Sequence, residues 1–299
     1  MDEPKKKLNL GRFVRASAAE NVATVPVAEL EERVREVERR LAAAARDRWW
    51  EREWAAMTLR GVSRELVQLG ESGAFVEAVL ALRARIARED QEMMAPVQAR
   101  IASGEYGREA LLAELKGRPR FEWDAFVERA LGIAEPPRAE KAREKDMVHY
   151  LASPFEVVLQ LIAELGEGDV LYDLGAGLGK VTLSTAWLSV ARAKGVEMEP
   201  AYTREAEARA RALRFERAEM LCADAREVDY SDGTAFYLYD PFRGAILEAV
   251  LAKIRAGAAD RKIRVFSRGA STAAIELVPW LEKTRAFENG LTIFASISR

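Results

Sequence analysis

A glycine-rich turn in the middle of the chain has the residue types of a nucleotide-binding site. The run Leu171–Lys180 joins a short apolar stretch to a predicted helix. Pyrophosphate-binding turns use the wider pattern Gly-x-Gly-x-x-Gly, whose amide groups face an anion. Here the spacing is Gly175-x-Gly177-x-Gly179, and the carboxylate of Asp173 at its mouth would repel phosphate. We therefore expect a phosphate-free cofactor, and S-adenosylmethionine, with its sulfonium, amine and ribose, fits this requirement.

A second carboxylate stands where a ribose would bind. Glu197 ends the second predicted strand about 20 residues after Gly177, the spacing at which an acid meets ribose hydroxyls in related folds. An ionised carboxylate only accepts hydrogen bonds, so it can take both hydroxyl donors. Glu199 competes for the role but lies further from the strand end, and Met198 is expected against the adenine face.

A third acid follows the third predicted strand. Asp224 lies in the run Leu221-Cys-Ala-Asp-Ala225 and is placed to accept a hydrogen bond from the adenine amino group, with Ala225 beside it. Ligands bind at the carboxyl ends of strands in parallel sheets. The acids at the ends of three successive strands are therefore expected to surround one ligand.

The fourth predicted strand ends in a candidate catalytic loop. Its residues Asp240, Pro241 and Phe242 resemble the (Asp/Asn)-Pro-Pro-(Tyr/Phe) loop of amino methyltransferases, without the second proline. A carboxylate oxygen and a proline carbonyl can accept both hydrogens of an amine, and the aromatic ring can shield the transferring methyl group. The alternative is an ordinary turn that ends a strand, where Asp-Pro is common.

The energetics of an amine acceptor limit the role of Asp240. Presenting a lysine amine of pKa about 10.4 in its neutral form at pH 7 costs about 4.6 kcal/mol. A nearby carboxylate makes deprotonation harder, so we expect Asp240 to orient the amine and most of the rate to come from alignment. No general base is evident: His149, the single histidine, could serve, but a lone histidine before a helix is more often structural.

Composition indicates a soluble, cytoplasmic protein. The chain has 299 residues, 49% of them hydrophobic, and a net charge of −2. A near-neutral chain is not expected to coat nucleic acid, so a nucleic-acid partner is disfavoured. No apolar run reaches the roughly 18 residues of a membrane span, and no signal peptide is predicted. With one cysteine, Cys222, and one histidine, neither an intrachain disulfide nor a zinc site is expected.

Periodicity divides the chain into three parts. Residues 1–25 are predicted as a flexible basic arm and residues 26–145 as a helical domain. The helical pattern over residues 29–41 continues into a tryptophan cluster, and Gly61 and Ser63 predict a break. A second helix, either continuous over residues 66–86 or interrupted at residues 70–73, is followed by shorter pieces over residues 93–101, 108–115 and 123–131.

The third part, residues 146–299, alternates strands with helices, which predicts a doubly wound, mostly parallel sheet. An Asn-Gly turn joins the last two strands as an antiparallel hairpin. We therefore predict an α/β fold with seven strands after an all-α domain. The expected strands are 170–174, 195–198, 219–222, 235–239, 263–267, 282–287 and 291–298, and the expected helices are 181–193, 202–215, 244–256 and 271–281.

The chain resembles class I methyltransferases related to the seven-strand protein lysine methyltransferases. The resemblance lies in His149–Val158, in Gly168–Gly179 and in Gly195–Pro200. It implies that the Tyr-x-x-Ser-Pro segment lies over the cofactor, which makes Tyr150 and Ser153 cofactor-binding candidates. It covers about residues 148–299, and the helical half matches no family that we can name.

Together these features predict a methyltransferase that acts on an amine, with protein lysine the leading acceptor and with the helical domain closing over the carboxyl edge of the sheet. The alternatives are transfer to nitrogen or oxygen of a small molecule, transfer to a nucleic-acid base, and a non-catalytic scaffold that only retains a cofactor. The sequence does not predict the oligomeric state.

Overall fold

The computed structural model describes residues 25–45, 48–133, 135–141, 151–259 and 261–297. Most of the predicted basic arm lies outside these residues, and so do His149 and Tyr150. The first part of the described chain is helical, as predicted. Its helices are α1 Val27–Ala43, α2 Trp49–Leu69, α3 Ala74–Ala102, α4 Arg108–Lys116 and α5 Arg120–Ala130.

The predicted helix break at Gly61 and Ser63 is wrong, because α2 runs through both residues. The hydroxyl of Ser63 donates to the carbonyl of Leu59 at 2.8 Å and caps no new helix. One glycine costs a helix about 1 kcal/mol, and burial of the apolar stripe that includes Leu59 outweighs it. The helix instead begins at Trp49 and ends before Gly70, whose φ of 69° is left-handed.

The helix α3 is continuous where the sequence predicts separate pieces. The piece expected over residues 93–101 is its second half, and Pro96 lies inside it. Val79, Ile86, Met94 and Ile101 are all buried along its length. We attribute the continuity to this burial, which offsets the helical hydrogen bond that a proline cannot make.

A seven-stranded sheet forms the second half of the chain, in the order β3-β2-β1-β4-β5-β7-β6. Strands β1 to β5 are parallel, and β7 is antiparallel to both β5 and β6. This confirms the predicted fold class, including the final hairpin. The strands are β1 Val170–Leu174, β2 Arg192–Glu197, β3 Ala218–Cys222, β4 Ala235–Tyr239, β5 Arg264–Arg268, β6 Leu281–Ala286 and β7 Thr292–Ser296.

Two of the predicted helices in this half are too long. The helix expected over residues 181–193 ends at Leu188, because Arg192 and Ala193 pair with β1. The helix expected over residues 271–281 ends at Ile275, and Leu281 begins β6. The helices are α6 Phe155–Ala163, α7 Lys180–Leu188, α8 Pro200–Ala212, α9 Gly244–Ala258 and α10 Ser271–Ile275.

Both faces of the sheet are covered, and the helical half shares one of the two cores. Tyr237 of β4 and Phe266 of β5 are buried in one hydrophobic cluster with residues of α6 and α7 and with Phe126 of α5. Their strand neighbours Phe236 and Val265 are buried on the opposite face with α9. The first cluster crosses the predicted boundary at residues 145–146, so the two halves pack as one body.

A buried lysine joins α5 to the glycine turn. Lys180, the first residue of α7, is 3% exposed, and its Nζ donates to the carboxylates of Asp124 and, at 2.7 Å, Glu128 on α5. Burial alone would lower the pKa of Lys180, but the charges of Glu128 and Asp124 outweigh it and raise that pKa. Asp124 also accepts the N–H of Phe155 at 2.8 Å. One carboxylate therefore fixes the first residues of both α6 and α7.

Removing both carboxylates should destabilise the protein. In the double variant Asp124→Asn with Glu128→Gln, the Lys180 ammonium would be buried without a counter-charge, and the free energy of unfolding should fall by about 3 kcal/mol. Adding Lys180→Met should restore most of this loss, because no buried charge remains. Urea denaturation measures all three variants.

The control is Lys283→Met in the exposed pair of Lys283 with Glu276. It should change the free energy of unfolding by about 0.5 kcal/mol or less. A triple variant that is no more stable than the double variant would contradict the role assigned to Lys180.

Candidate functional site

The glycine turn between β1 and α7 has a backbone that only glycine adopts easily. Gly175, Gly177 and Gly179 have φ values of 76°, 55° and 77°, all in the left-handed region. The N–H of Gly175 donates to the carbonyl of Val196 on β2 at 2.9 Å. A Cβ atom on Gly175 would lie 2.4 Å from the Cβ of Pro241. This glycine therefore lets the turn touch the predicted catalytic loop.

Asp173 lies buried near the end of β1, beside the turn. Its carboxylate accepts a hydrogen bond from Thr182 Oγ1 at 3.1 Å. Burial raises the pKa of Asp173 to about 7, the charge of Glu197 adds to the rise, and the hydrogen bonds from Thr182 oppose it. A bound cation would favour the ionised form of this carboxyl.

Glu197, the last residue of β2, holds the turn in place. Its two carboxylate oxygens accept the N–H groups of Gly177 at 2.9 Å and Glu199 at 2.8 Å, and burial raises its pKa. The N–H of Met198 also hydrogen-bonds this carboxylate. A carboxylate has about four lone-pair sites, so acceptor capacity for hydroxyl groups of a ligand remains. Glu199, the competing acid, caps α8 and accepts the N–H groups of Glu140 and Lys141. The contacts therefore favour Glu197 for the ribose.

Asp224 follows β3 and is paired with Arg226. Their side chains lie 2.6 Å apart, and Asp224 also accepts the Arg226 N–H at 2.8 Å. The hydrogen bond from the Arg226 side chain is the main cause of the lowered pKa of Asp224. Ala225 is buried and Met198 half-buried. An amino group of a ligand would have to share the carboxylate of Asp224 with Arg226.

Ser153, the candidate taken from the family resemblance, forms a hydrogen bond with Tyr237, which the sequence does not single out as a site residue. Its hydroxyl lies 2.9 Å from the hydroxyl of Tyr237, and both residues are buried. Tyr237 lies beside Asp173 in the register of β4 against β1. The sequence signal that could have identified Tyr237 is its position among aromatic residues on the predicted strand 235–239. The pair connects the segment before α6 to the carboxyl edge of the sheet; Tyr150, the other candidate, is outside the described residues.

The carboxylate of Asp240 is engaged with the loop after β5. It accepts the N–H groups of Ala270 at 2.7 Å and Ser271 at 2.6 Å. Burial would raise the pKa of Asp240, but these N–H groups and the charge of Arg243 hold it below its usual value. The φ of Asp240 is 47°, an unusual value for a residue with a side chain. The backbone turn thus directs this carboxylate toward β5 and α10.

Phe242 lies in the core and not at the open edge of the sheet. It is 5% exposed and belongs to the cluster that packs with α9, on the face opposite Tyr237. A ring in this position fixes the loop to α9. Pro241 is therefore the loop residue that contacts the glycine turn, as the close approach at Gly175 shows.

The described residues contain neither a cluster of metal-ligating side chains nor a membrane-spanning helix. No group of three or more histidine, cysteine, aspartate or glutamate residues there could hold a metal ion. No helix in the same part of the chain has the length and apolar character to cross a membrane.

Comparison with known proteins finds similar structures but no similar family. No family model matches the chain, and no curated protein matches it. An RNA methyltransferase from Salinibacter ruber, solved with S-adenosyl-L-homocysteine, is 25% identical with a TM-score of 0.40, over 49% of this chain and 92% of that one. A precorrin-6y C5,15-methyltransferase from Geobacter metallireducens is 16% identical with a TM-score of 0.39, over 51% and 93%.

A third similar structure is the ribosomal protein L11 methylase from Lactobacillus delbrueckii. It is 13% identical with a TM-score of 0.37, over 48% of this chain and 78% of that one. The three proteins are described by three different acceptors: an RNA, a precorrin and a ribosomal protein.

The close approach of the turn to the loop gives a testable prediction. Gly175→Ala should lower the free energy of unfolding by about 2 kcal/mol, because the new Cβ would clash with Pro241 and the φ of 76° is strained for alanine. The control is Gly117→Ala, whose Cβ would meet nothing within 4 Å at an ordinary φ of −86°. Urea denaturation measures the free energy of unfolding of both variants. Equal values for the two variants would show that the turn accommodates a Cβ at Gly175 and would contradict the prediction.

Proposed function

We propose that the chain is an S-adenosylmethionine-dependent methyltransferase. The observation that carries the proposal is the position of Asp173, Glu197 and Asp224, which lie at or just beyond the ends of three adjacent strands around a phosphate-free type of glycine turn. The cation that follows the turn, Lys180, is neutralised by carboxylates of α5, and Arg226 pairs with Asp224, so Asp173 and Glu197 are the acids of the site that have no ion-pair partner among the described residues. Such an edge suits a cationic nucleoside.

The residues fit this cofactor part by part. Asp173, buried and with a raised pKa, would face the positive charge of the methionine end. Glu197 would accept the ribose hydroxyls with its remaining lone pairs, and Asp224 the adenine amino group. When bound, S-adenosylmethionine supplies an electrophilic methyl group. The chain would contribute alignment of the nucleophile with that group.

The acceptor that the loop was predicted to bind is an amine, with protein lysine first and small molecules second. Because the Asp240 carboxylate is already engaged, the backbone carbonyls of Asp240 and Pro241 are left to orient the amine hydrogens. This arrangement serves a small-molecule amine as well as a lysine. A non-catalytic scaffold of the same fold is the candidate from another class.

Calorimetry tests the cofactor directly. S-adenosylhomocysteine should bind the wild type, and Asp173→Asn and Glu197→Gln should each weaken binding about 10- to 100-fold, because each removes a charge-assisted hydrogen bond. The control Glu205→Gln lies on the exposed side of α8 and should bind like the wild type. Binding of NAD but not of S-adenosylhomocysteine would overturn the proposal. Binding without transfer of labelled methyl to any acceptor would favour the scaffold.

The raised pKa of Asp173 predicts a pH dependence. Below about pH 7 the free carboxyl holds a proton, and a cationic ligand must displace it. The affinity for S-adenosylmethionine should therefore fall as pH decreases below 7, by up to about tenfold per unit. Calorimetry between pH 5.5 and 8.5 measures this, and Asp173→Asn should flatten the profile. An identical slope in that variant would assign the dependence to another group.

A further inference from the structure

The carboxyl edge of the sheet is divided by charge. Asp173, Glu197 and Asp224 lie at the ends of β1, β2 and β3. On the other side, β4 ends in Tyr239 and β5 ends in Arg268, and these two residues are paired in the strand register. The acids surround the proposed cofactor site, so Tyr239 and Arg268 border the part of the edge left for the methyl acceptor.

Arg268 is held in one orientation with donors to spare. Its guanidinium carbon lies 4.6 Å from the centre of the Tyr239 ring, and its Nε donates to the carbonyl of Asn289 at 3.0 Å. Within the described part of the chain, no hydrogen bond or ion pair uses its two terminal nitrogens. A guanidinium fixed on one side and open on the other is suited to bidentate binding of an oxyanion.

Asp240, the acid of the neighbouring loop, forms no ion pair with this arginine among the described residues. Asp240 follows Tyr239 directly, but its carboxylate is turned to the N–H groups of Ala270 and Ser271. A Cβ on Gly269 would lie 2.4 Å from that carboxylate, so the loop after Arg268 wraps closely around it. The positive charge of Arg268 is thus available to a ligand.

The strand order places Arg268 and the acids of the cofactor site on opposite sides of β4, the strand that carries Tyr237. Strand β4 lies between β1, which carries Asp173, and β5, which carries Arg268. Burial is the main cause of the raised pKa of Tyr237; the negative charge of Asp173 adds to it, and the positive charge of Arg268 opposes it. Both charges therefore act on one phenol, from the two neighbouring strands.

We propose that Arg268 binds an oxyanion of the methyl acceptor and so determines substrate specificity. The acceptor class is then a molecule that carries a carboxylate or a phosphate group close to its nucleophile. This inference rests on the proposed methyltransferase function and narrows it. A lysine side chain brings an ammonium group to this position and no oxyanion, so Arg268 disfavours the lysine acceptor.

Probe binding tests the proposal while the natural acceptor is unidentified. The protein is first saturated with S-adenosylhomocysteine, and benzoate, phenyl phosphate and the neutral benzamide are then titrated by calorimetry or NMR. At least one of the two anions should bind the wild type about tenfold more tightly than benzamide. A preference for benzoate indicates a carboxylate acceptor, and a preference for phenyl phosphate indicates a phosphate acceptor.

Variants assign the preference to one side chain. Arg268→Gln should lose the preference for anions, and Arg268→Lys should retain part of it, because the charge stays while the bidentate geometry is lost. Arg211→Gln, an exposed position on α8, is the control and should bind all probes like the wild type. An unchanged affinity for S-adenosylhomocysteine shows that each variant is folded.

The outcomes separate the two proposals. Failure of S-adenosylhomocysteine to bind overturns the proposed function. If it binds, but neither anion is preferred over benzamide, or Arg268→Gln keeps the preference, the methyltransferase proposal stands and the role of Arg268 is overturned.

Discussion

The ion pairs of the Lys180 ammonium with Asp124 and Glu128 hold the site together. A lysine at the first residue of a helix opposes the helix dipole, and its burial adds a desolvation penalty. Both effects are offset only while α5 stays in place. Because Asp124 also binds the first N–H of α6, displacement of α5 would release the start of α7 and the segment that carries Ser153 together. The helical half therefore helps to position the site, through α5 residues that the sequence alone does not single out.

The charges at the sheet edge follow from this framework. The backbone of the glycine turn is fixed by Glu197 and by contact with Pro241, which leaves Asp173 buried beside it. The loop after β4 sends the carboxylate of Asp240 away from that pocket and into the turn after β5. The acids of the first three strands and the Arg268 guanidinium of β5 therefore lie on opposite sides of β4, while the N–H groups of Ala270 and Ser271 hold the Asp240 carboxylate. A cationic donor and an anionic acceptor would each find the complementary half of one edge.

The sequence predicts the elements well and the partners poorly. Strand β1 and the acids after the first three strands follow from local pattern, because strand ends in a parallel sheet converge. The partners of Lys180 lie 56 and 52 residues earlier, and Tyr237 lies 84 residues from Ser153. Such contacts depend on how helices dock, which no local pattern encodes. Phe242 shows the same limit. The sequence motif predicts that its ring shields the transferring methyl group, but in the structure the ring is buried in the core against α9.

The shared hydrophobic cluster also bears on the order in which the chain is made. Phe126 and its neighbours on α5 leave the ribosome before α6, α7 and β4, whose buried residues belong to the same hydrophobic cluster. Domains that fold independently can finish during synthesis, but the last helices of this N-terminal half have no complete core until the sheet arrives. The apolar faces of these helices must stay exposed to water or bound to a chaperone until the sheet has been synthesised. Translation pauses or chaperone supply after residue 130 should therefore matter more to the yield of active protein than events near either end.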